Sequence, residues 1–273
     1  VHDHASGVTP NPCIECNRHL KFDRLVARAE QLGFDAVATG HHARVERSEG
    51  RWRLRRGADV AKDQSYVVHM LDQAALERIV FPVGGIDKTE VRCIAAERGL
   101  RTASKPDSQD VCFITSTGGR EAFLGDRIPV RPGRVVDAGG ATVGTVPAVE
   151  FVTIGQRRGL GLPGGGPKRY AVDVDHAAST VLVGSHEDLL VATTTAVAPT
   201  WVDGPVDGEV RVQSSAHGRA MPAAIEVDGD TVRIEWVERQ RRIAPGQSVV
   251  FYDAEDRCVL GGATAVRSAI TDR

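Results

Sequence analysis

The chain lacks any apolar run near the roughly 18 residues that a membrane-spanning helix needs, and its N-terminus lacks the basic-then-apolar pattern of a secretory signal, so it reads as cytoplasmic with no membrane partner. It also lacks an excess charge: 34 Lys and Arg stand against 36 Asp and Glu, a formal net of −2, which excludes indiscriminate attraction of polyanions and leaves only local basic patches for any nucleic acid. Five cysteines, Cys13, Cys16, Cys93, Cys112 and Cys258, are too few and too unevenly spaced for a disulfide framework, so metal binding and thiol chemistry are the open questions. There is no internal repeat and no low-complexity segment. What is present is a globular composition, with 41% hydrophobic and 26% charged residues over 273 positions, a length that suggests about two domains. The 29 glycines and 13 prolines predict many turns and short strands.

The first half of the sequence has an α/β pattern. After the proline-stiffened TPNPCIECN (residues 9–17), Phe22, Leu25, Val26, Ala29 and Leu32 recur at helical spacing up to Gly33, predicting a helix that packs on a sheet. DAVAT (35–39), bounded by glycines, has the length of a buried strand, and RVERSEGRWRLRR from Arg44 reads as a hairpin turning at Ser48, Glu49 and Gly50. Asp87 followed by Glu90 opens a second helix in capping-box fashion, with Val91, Ile94 and Ala95 on one face and Gly99 at its end. From about Gly118, after a short helical stretch around Arg120 to Leu124, the pattern becomes β-rich. STVLVG (179–184), GEVRVQ (208–213), TVRIEW (231–236) and SVVFY (248–252) have the spacing of a small barrel or sandwich, with a domain boundary expected near 191–199.

Several residue groups invite chemistry, and each has a plainer alternative. Cys13 and Cys16 form a Cys-x-x-Cys just before a helix, where unsatisfied amides favour a thiolate. Thiol chemistry, half a zinc site with His41 and His42, and an unreactive loop all stay open on the pair alone, although zinc needs four ligands and there is no second Cys-x-x-Cys. Cys112, in KPDSQDVCFI (105–114), could equally be a small buried hydrophobe. Gly40, His41 and His42 follow the DAVAT strand, at the end where α/β sheets gather ligands. Lys62, Asp63, Gln64 and Ser65 could present a cation and an amide to phosphate, or cap a helix through Asp63. Basic groups occur at Arg51, Arg53, Arg55 and Arg56, at Arg157 and Arg158, and at Arg239, Arg241 and Arg242. The glycine-rich GLGLPGGG (159–166) lacks the Lys-Ser/Thr ending and following helix of a phosphate loop.

Taken together and in order, TPNPCIECN, DAVATGHHARV, AKDQSYVV, FPVGGIDKTEVRCIA, DSQDVCFI, TIGQRRGLG and APGQSVVFY resemble the tRNA-specific 2-thiouridylase family over nearly the whole chain. The resemblance implies an incomplete, Rossmann-like adenine-nucleotide α-hydrolase domain at 1–116, a small central domain at 117–191 and a C-terminal β-barrel at 192–273. It implies an enzyme that uses ATP, with Mg2+, to adenylate the 2-oxygen of the wobble uridine in tRNAs of the Lys, Glu and Gln type and replaces that oxygen with sulfur. Cys112 would carry a persulfide received from a cysteine desulfurase or sulfur-relay protein, and Cys16 would release its sulfur and end as a disulfide with it, so the two thiols are expected to come within bonding reach during turnover.

By the same resemblance Asn11, Pro12 and Cys13 face the target base, Gly40 contacts ATP, and His41, Lys62, Asp63, Gln64 and Gln247 contact tRNA, with no metal ligand assigned. Two departures from the family pattern stand out: Cys13 is found where some relatives hold an aspartate, and Ser215 and Ala216 fall near a basic-aromatic pair that some relatives use on tRNA. The family's Ser-Gly-Gly-x-Asp-Ser pyrophosphatase loop is expected upstream of Val1, so the chain as given is expected not to adenylate on its own. The rival expectations are a non-catalytic tRNA-binding remnant and a zinc protein using Cys13 and Cys16.

Overall fold

A computed structural model describes residues 7–105 and 119–267. The N-terminal part opens with one continuous helical rod: α1 (Pro12–Glu15), a π-helical stretch (Cys16–Asp23) and α2 (Arg24–Gln31). The expected packing of this helix is realised only in part. Phe22 is buried and Val26 packs against the core, whereas α2 buries no residue fully, and Leu25 and Leu32 stay 43% and 55% exposed. The reason lies in the sheet, which among the described residues gives the helix little to cover: the DAVAT strand shortens to β1 (Val37–Ala38), which there pairs in parallel with β4 (Ile79–Val80), and α3 (Gln73–Glu77) precedes β4.

The predicted hairpin is β2 (Ala43–Ser48) and β3 (Arg51–Arg56), turning on Glu49 and Gly50, both at positive φ. The helix predicted from Asp87 is α4 (Lys88–Glu97), with Asp87 Oδ1 accepting from Glu90 N at 2.8 Å and Gly99 ending it at φ 64°. Its apolar face is only partly covered: Val91 and Ala95 are half-buried, Ile94 is 37% exposed, and no residue of the element is fully buried.

The middle region begins with α5 (Gly119–Gly125) and builds a four-stranded sheet from β5 (Gly133–Val136), β6 (Thr142–Val146), β7 (Tyr170–Asp175) and β8 (Thr180–Gly184), in the order β6-β5-β8-β7. Val135, Val146, Val149, Val181 and Val183 are among the side chains of its separate core. The glycine-rich 159–166 stretch is a loop that closes on β6: a Cβ at Gly161 would lie 2.0 Å from the Thr145 carbonyl oxygen, so glycine there permits a close backbone approach.

The C-terminal region is a closed antiparallel barrel of six strands, β9 (Leu190–Trp201), β10 (Gly208–Gln213), β11 (Met221–Asp228), β12 (Thr231–Arg241), β13 (Ser248–Tyr252) and β14 (Cys258–Ala265), in the order β13-β10-β11-β12-β9-β14 with β14 closing on β13. β9 runs straight through residues 191–199. Alternate residues of β11 and β12, such as Ala223, Ile225, Val232 and Ile234, fill the interior.

β13 is buried at all five positions, and its period-2 alternation shows why. Val249 and Phe251 point into the barrel, while Val250 and Tyr252 point into a second core shared with Ile14, Phe22, Leu54 and Tyr66 of the N-terminal part. The hairpin completes the junction, because β3 pairs with β14 at Arg55 to Cys258 and Leu54 to Val259, extending the barrel sheet to eight strands.

Candidate functional site

The loop that carries Cys13 and Cys16 is built by its own sequence. Asn11 caps α1, its Oδ1 accepting from Cys13 N at 3.1 Å and Ile14 N at 3.4 Å, and Pro12 occupies a first-turn position where its missing N–H costs nothing. Ile14 is buried beneath, which turns Cys13 outward to an exposed position and leaves the Cys16 thiol half-buried and not disulfide-bonded. Asn17, one residue on, is almost wholly buried and donates from Nδ2 to the Val67 carbonyl at 2.9 Å.

That bond leaves Asn17 Oδ1 facing His41 Nε2 at 3.1 Å, so Nε2 carries the proton, and His41 Nδ1 accepts from Thr39 Oγ1 at 2.8 Å. Burial, followed by the nearby charges of Lys21 and His42, pushes the His41 imidazole down to about 4, so it is neutral near pH 7. Phe22 and Phe81 pack against it and against each other, with ring centroids 5.7 and 5.6 Å from the imidazole and 6.4 Å from one another. The chain Thr39–His41–Asn17 therefore fastens the end of β1 to the turn bearing Cys16.

Gly40 sits between these anchors. It is exposed beyond the carboxyl end of β1, with no atom of the described residues within 4 Å of where a Cβ would lie.

The 62–65 segment is bound inward from Asp63 to Ser65, and Lys62 N donates to the Asp59 carbonyl at 3.0 Å. Lys62 is exposed. Asp63 Oδ1 accepts from Gly57 N at 2.7 Å and Ser65 N at 3.1 Å, and Oδ2 accepts from Arg56 Nη1 and Ser65 Oγ, both at 2.7 Å. Gln64 grips the loop after β1 from two sides, its Oε1 accepting from His42 N at 2.9 Å and its own N donating to the His42 carbonyl at 2.8 Å. Arg56 is the hub of this network: its guanidinium lies 3.8 Å from the Tyr252 ring centroid and also donates to Asp256 Oδ1 at 2.5 Å and Gln213 Oε1 at 3.1 Å. Tyr252 and Gln213 belong to the barrel, so the network joins both halves of the molecule.

At the barrel's near end, Gln247 Nε2 donates to the Thr9 carbonyl at 2.6 Å and Thr9 N donates to the Pro245 carbonyl at 2.7 Å. The arginines of β3 are paired: Arg51 and Arg53 with Asp203, and Arg55 with Glu46. Cys112 lies outside the described residues. Among the described residues no three His, Cys, Asp or Glu side chains gather as a metal-binding group. His41, with both ring nitrogens engaged, is turned away from zinc ligation. Among the same residues no helix is long and apolar enough to cross a membrane.

Hydrogen bonds therefore tie Asn11 to Cys13, His41 to the turn bearing Cys16, Gln64 to the loop after β1, Asp63 to Arg56 and Gln247 to Thr9, with Pro12 and Gly40 lying along the same loops. Sequence reasoning did not single out Asn17, Thr39 or Tyr252. Asn17 had a signal available, as the residue that ends the TPNPCIECN block beside Cys16; Tyr252, more than 180 residues from Asp63, had none.

Comparison with known proteins agrees with this architecture. Residues 1–116 match the family profile described as the tRNA methyl transferase HUP domain, residues 121–185 the tRNA methyl transferase PRC-barrel domain, and residues 191–265 the aminomethyltransferase beta-barrel domain. The chain is 46% identical over 272 residues to the tRNA-specific 2-thiouridylase MnmA of Acidothermus cellulolyticus, covering 97% of this chain and 74% of that protein. It is 46% identical over 275 residues to that of Mycobacteroides abscessus, covering 98% and 76%, and 47% identical over 274 residues to that of Mycobacterium bovis, covering 97% and 73%. With its HUP, PRC-barrel and β-barrel regions in the same order and nearly half its residues identical along almost its whole length, the chain belongs to the tRNA-specific 2-thiouridylase family.

Proposed function

We propose that this protein replaces the 2-oxygen of a uridine in tRNA with sulfur, at the wobble position and at the expense of ATP. The observation that carries the reading is the near-50% identity to 2-thiouridylases over 97% of the chain. Uridine O2 attacks the ATP α-phosphorus and expels pyrophosphate, which turns a poor leaving group into AMP; Mg2+ accompanies the nucleotide, and the main chain at Gly40 borders its space. Cys112 carries the incoming sulfur as a persulfide supplied by a cysteine desulfurase or relay protein. The Cys16 thiolate attacks the Cys112 Sγ, the terminal sulfur departs as hydrosulfide and adds to uridine C2, AMP leaves, and the Cys16–Cys112 disulfide that remains is reopened by a dithiol reductant. Asn11, Pro12 and Cys13 face the target base, and exposed Lys62 meets tRNA phosphate. Buried His41 and half-buried Asp63 and Gln64 serve the same surface by holding its loops.

The test is nucleoside mass spectrometry of wobble-unmodified tRNA for Lys, Glu or Gln after incubation with ATP, Mg2+, a persulfide donor and the protein joined at Val1 to a relative's pyrophosphatase-loop segment, the chain alone being expected not to adenylate. A gain of 2-thiouridine that disappears in Cys16→Ser and in Cys112→Ser, with tRNA binding retained, is the expected result. Full activity in Cys112→Ser rejects the persulfide role.

A further inference from the structure

The resemblance sets Gln247 against tRNA, yet its side chain is spent on the protein itself. Its Nε2 donates to the Thr9 carbonyl at 2.6 Å, across 238 residues of sequence. The same turn holds Thr9 a second time through Thr9 N to the Pro245 carbonyl at 2.7 Å, and Gly246, at φ 87°, lies so close that a Cβ there would meet Val8 Cγ1 at 2.3 Å. The turn is in turn stapled to the barrel, because Gly246 N donates to the Ala265 carbonyl and Ala265 N to the Gln247 carbonyl, both at 2.8 Å. Two residues beyond Thr9, Asn11 caps the helix that carries Cys13 and leads into Cys16.

We propose that Gln247 is a positioning residue: the Pro245–Gln247 turn of the barrel clasps Thr9 and thereby fixes the height and direction of the thiol-bearing helix start. The connection from the barrel end to Cys16 runs through one main-chain bond, Thr9 N to the Pro245 carbonyl, and one side-chain bond from Gln247, so the loop is held at two points on the same residue. This rests on the reading of Cys16 as the sulfur-releasing thiol. The barrel thus serves the reaction as a strut for the thiol loop, whatever RNA it also contacts.

The test replaces Gln247 with methionine, similar in shape but without donors, and follows alkylation of Cys13 and Cys16 by iodoacetamide with peptide mass spectrometry, a measurement that needs neither ATP nor tRNA. Losing one hydrogen bond that holds the loop should speed alkylation about fivefold. Gln247→Lys, which restores a donor to the Thr9 carbonyl, should return the rate to within about twofold of the parent. Gly246→Ala, pressing on Val8 from the other side, should act in the same direction as Gln247→Met. In single turnover at saturating tRNA, Gln247→Met should lower the thiolation rate about fivefold while the Kd for tRNA stays within about twofold. Unchanged alkylation, or a weakened Kd with an unchanged saturating rate, overturns the proposal and makes Gln247 a plain RNA contact. A parent protein that does not thiolate tRNA even when joined to the pyrophosphatase-loop segment, the form used for the single-turnover measurement, defeats the functional reading instead, and the alkylation comparison still decides the positioning.

Discussion

At the scale of single residues, the site is organised by buried groups that stay neutral or fully paired. His41 is held near a pKa of about 4 chiefly by burial, then by Lys21 and His42, and His69, wholly enclosed beside Tyr66, is held near the same value against the opposing pull of its bond to the Tyr66 carbonyl. The unfolded chain binds a proton at each imidazole below about pH 6.5, whereas the folded protein accepts neither until about pH 4. The unfolded state therefore holds more protons across that window, and stability falls as pH falls through it, on the order of 1 kcal/mol per pH unit for each histidine. Urea midpoints measured at pH 7, 6 and 5 should decline steadily, and His69→Gln should shallow the decline; a midpoint that does not move between pH 7 and 5 contradicts the neutral, buried assignment. Cys13 belongs to a different class: it is exposed on the first turn of its helix, so Cys13→Ser should leave stability within about 0.5 kcal/mol of the parent while reporting on base positioning.

At the scale of elements, the hairpin shows how local chemistry and distant pairing divide the work. Its two-residue turn places Glu49 at φ 53° and Gly50 at φ 79°, the pair of positive dihedrals that lets the strands keep their natural twist. Glycine meets this at no cost and glutamate does not, so Glu49→Asn should raise stability by about 0.5 kcal/mol, read as a higher urea midpoint with an unchanged m-value. The hairpin itself was legible from the alternation either side of Ser48, Glu49 and Gly50, as were GEVRVQ and SVVFY, because each is a short β-rich run between turn residues. The destination of the hairpin was not legible: joining Leu54 to Val259 depends on a partner more than 200 residues away, and nothing local in RWRLRR specifies it. The first helix was legible by its period but not by its burial, since the same spacing serves a covered face at Phe22 and an open one at Leu32. Of the site, Cys13 and Cys16 stand out as a motif, while the inward bonding of Asp63, Gln64 and Gln247 emerges only once the loops are folded against one another.

At the scale of the whole molecule, three profile-matched regions do not make three independent cores. The middle sheet has its own, centred on Val135, Val149 and Val181. The N-terminal part and the barrel share one, in which Leu54, Val250, Tyr252 and Val259 meet Ile14, Phe22 and Tyr66, and Arg56 ties both sides together with Asp63 and Asp256. A core held in common makes the two regions unfold together, because removing one exposes the apolar surface of the other. This coupling bears on the chemistry: the loop of Cys13 and Cys16 is steadied by Ile14 below and by the barrel turn beside it, so its rigidity draws on the stability of both. Leu54→Ala tests the arrangement, since Leu54 is fully buried in β3 at the point where that strand pairs with β14. It should cost about 2–5 kcal/mol and lower amide-exchange protection in parallel across the π-helical stretch, β3, β13 and β14, while β5 to β8 keep theirs. Protection lost in the N-terminal part alone, with β13 and β14 unchanged, would show that the barrel stands by itself and that its turn cannot act as a strut for the thiol loop.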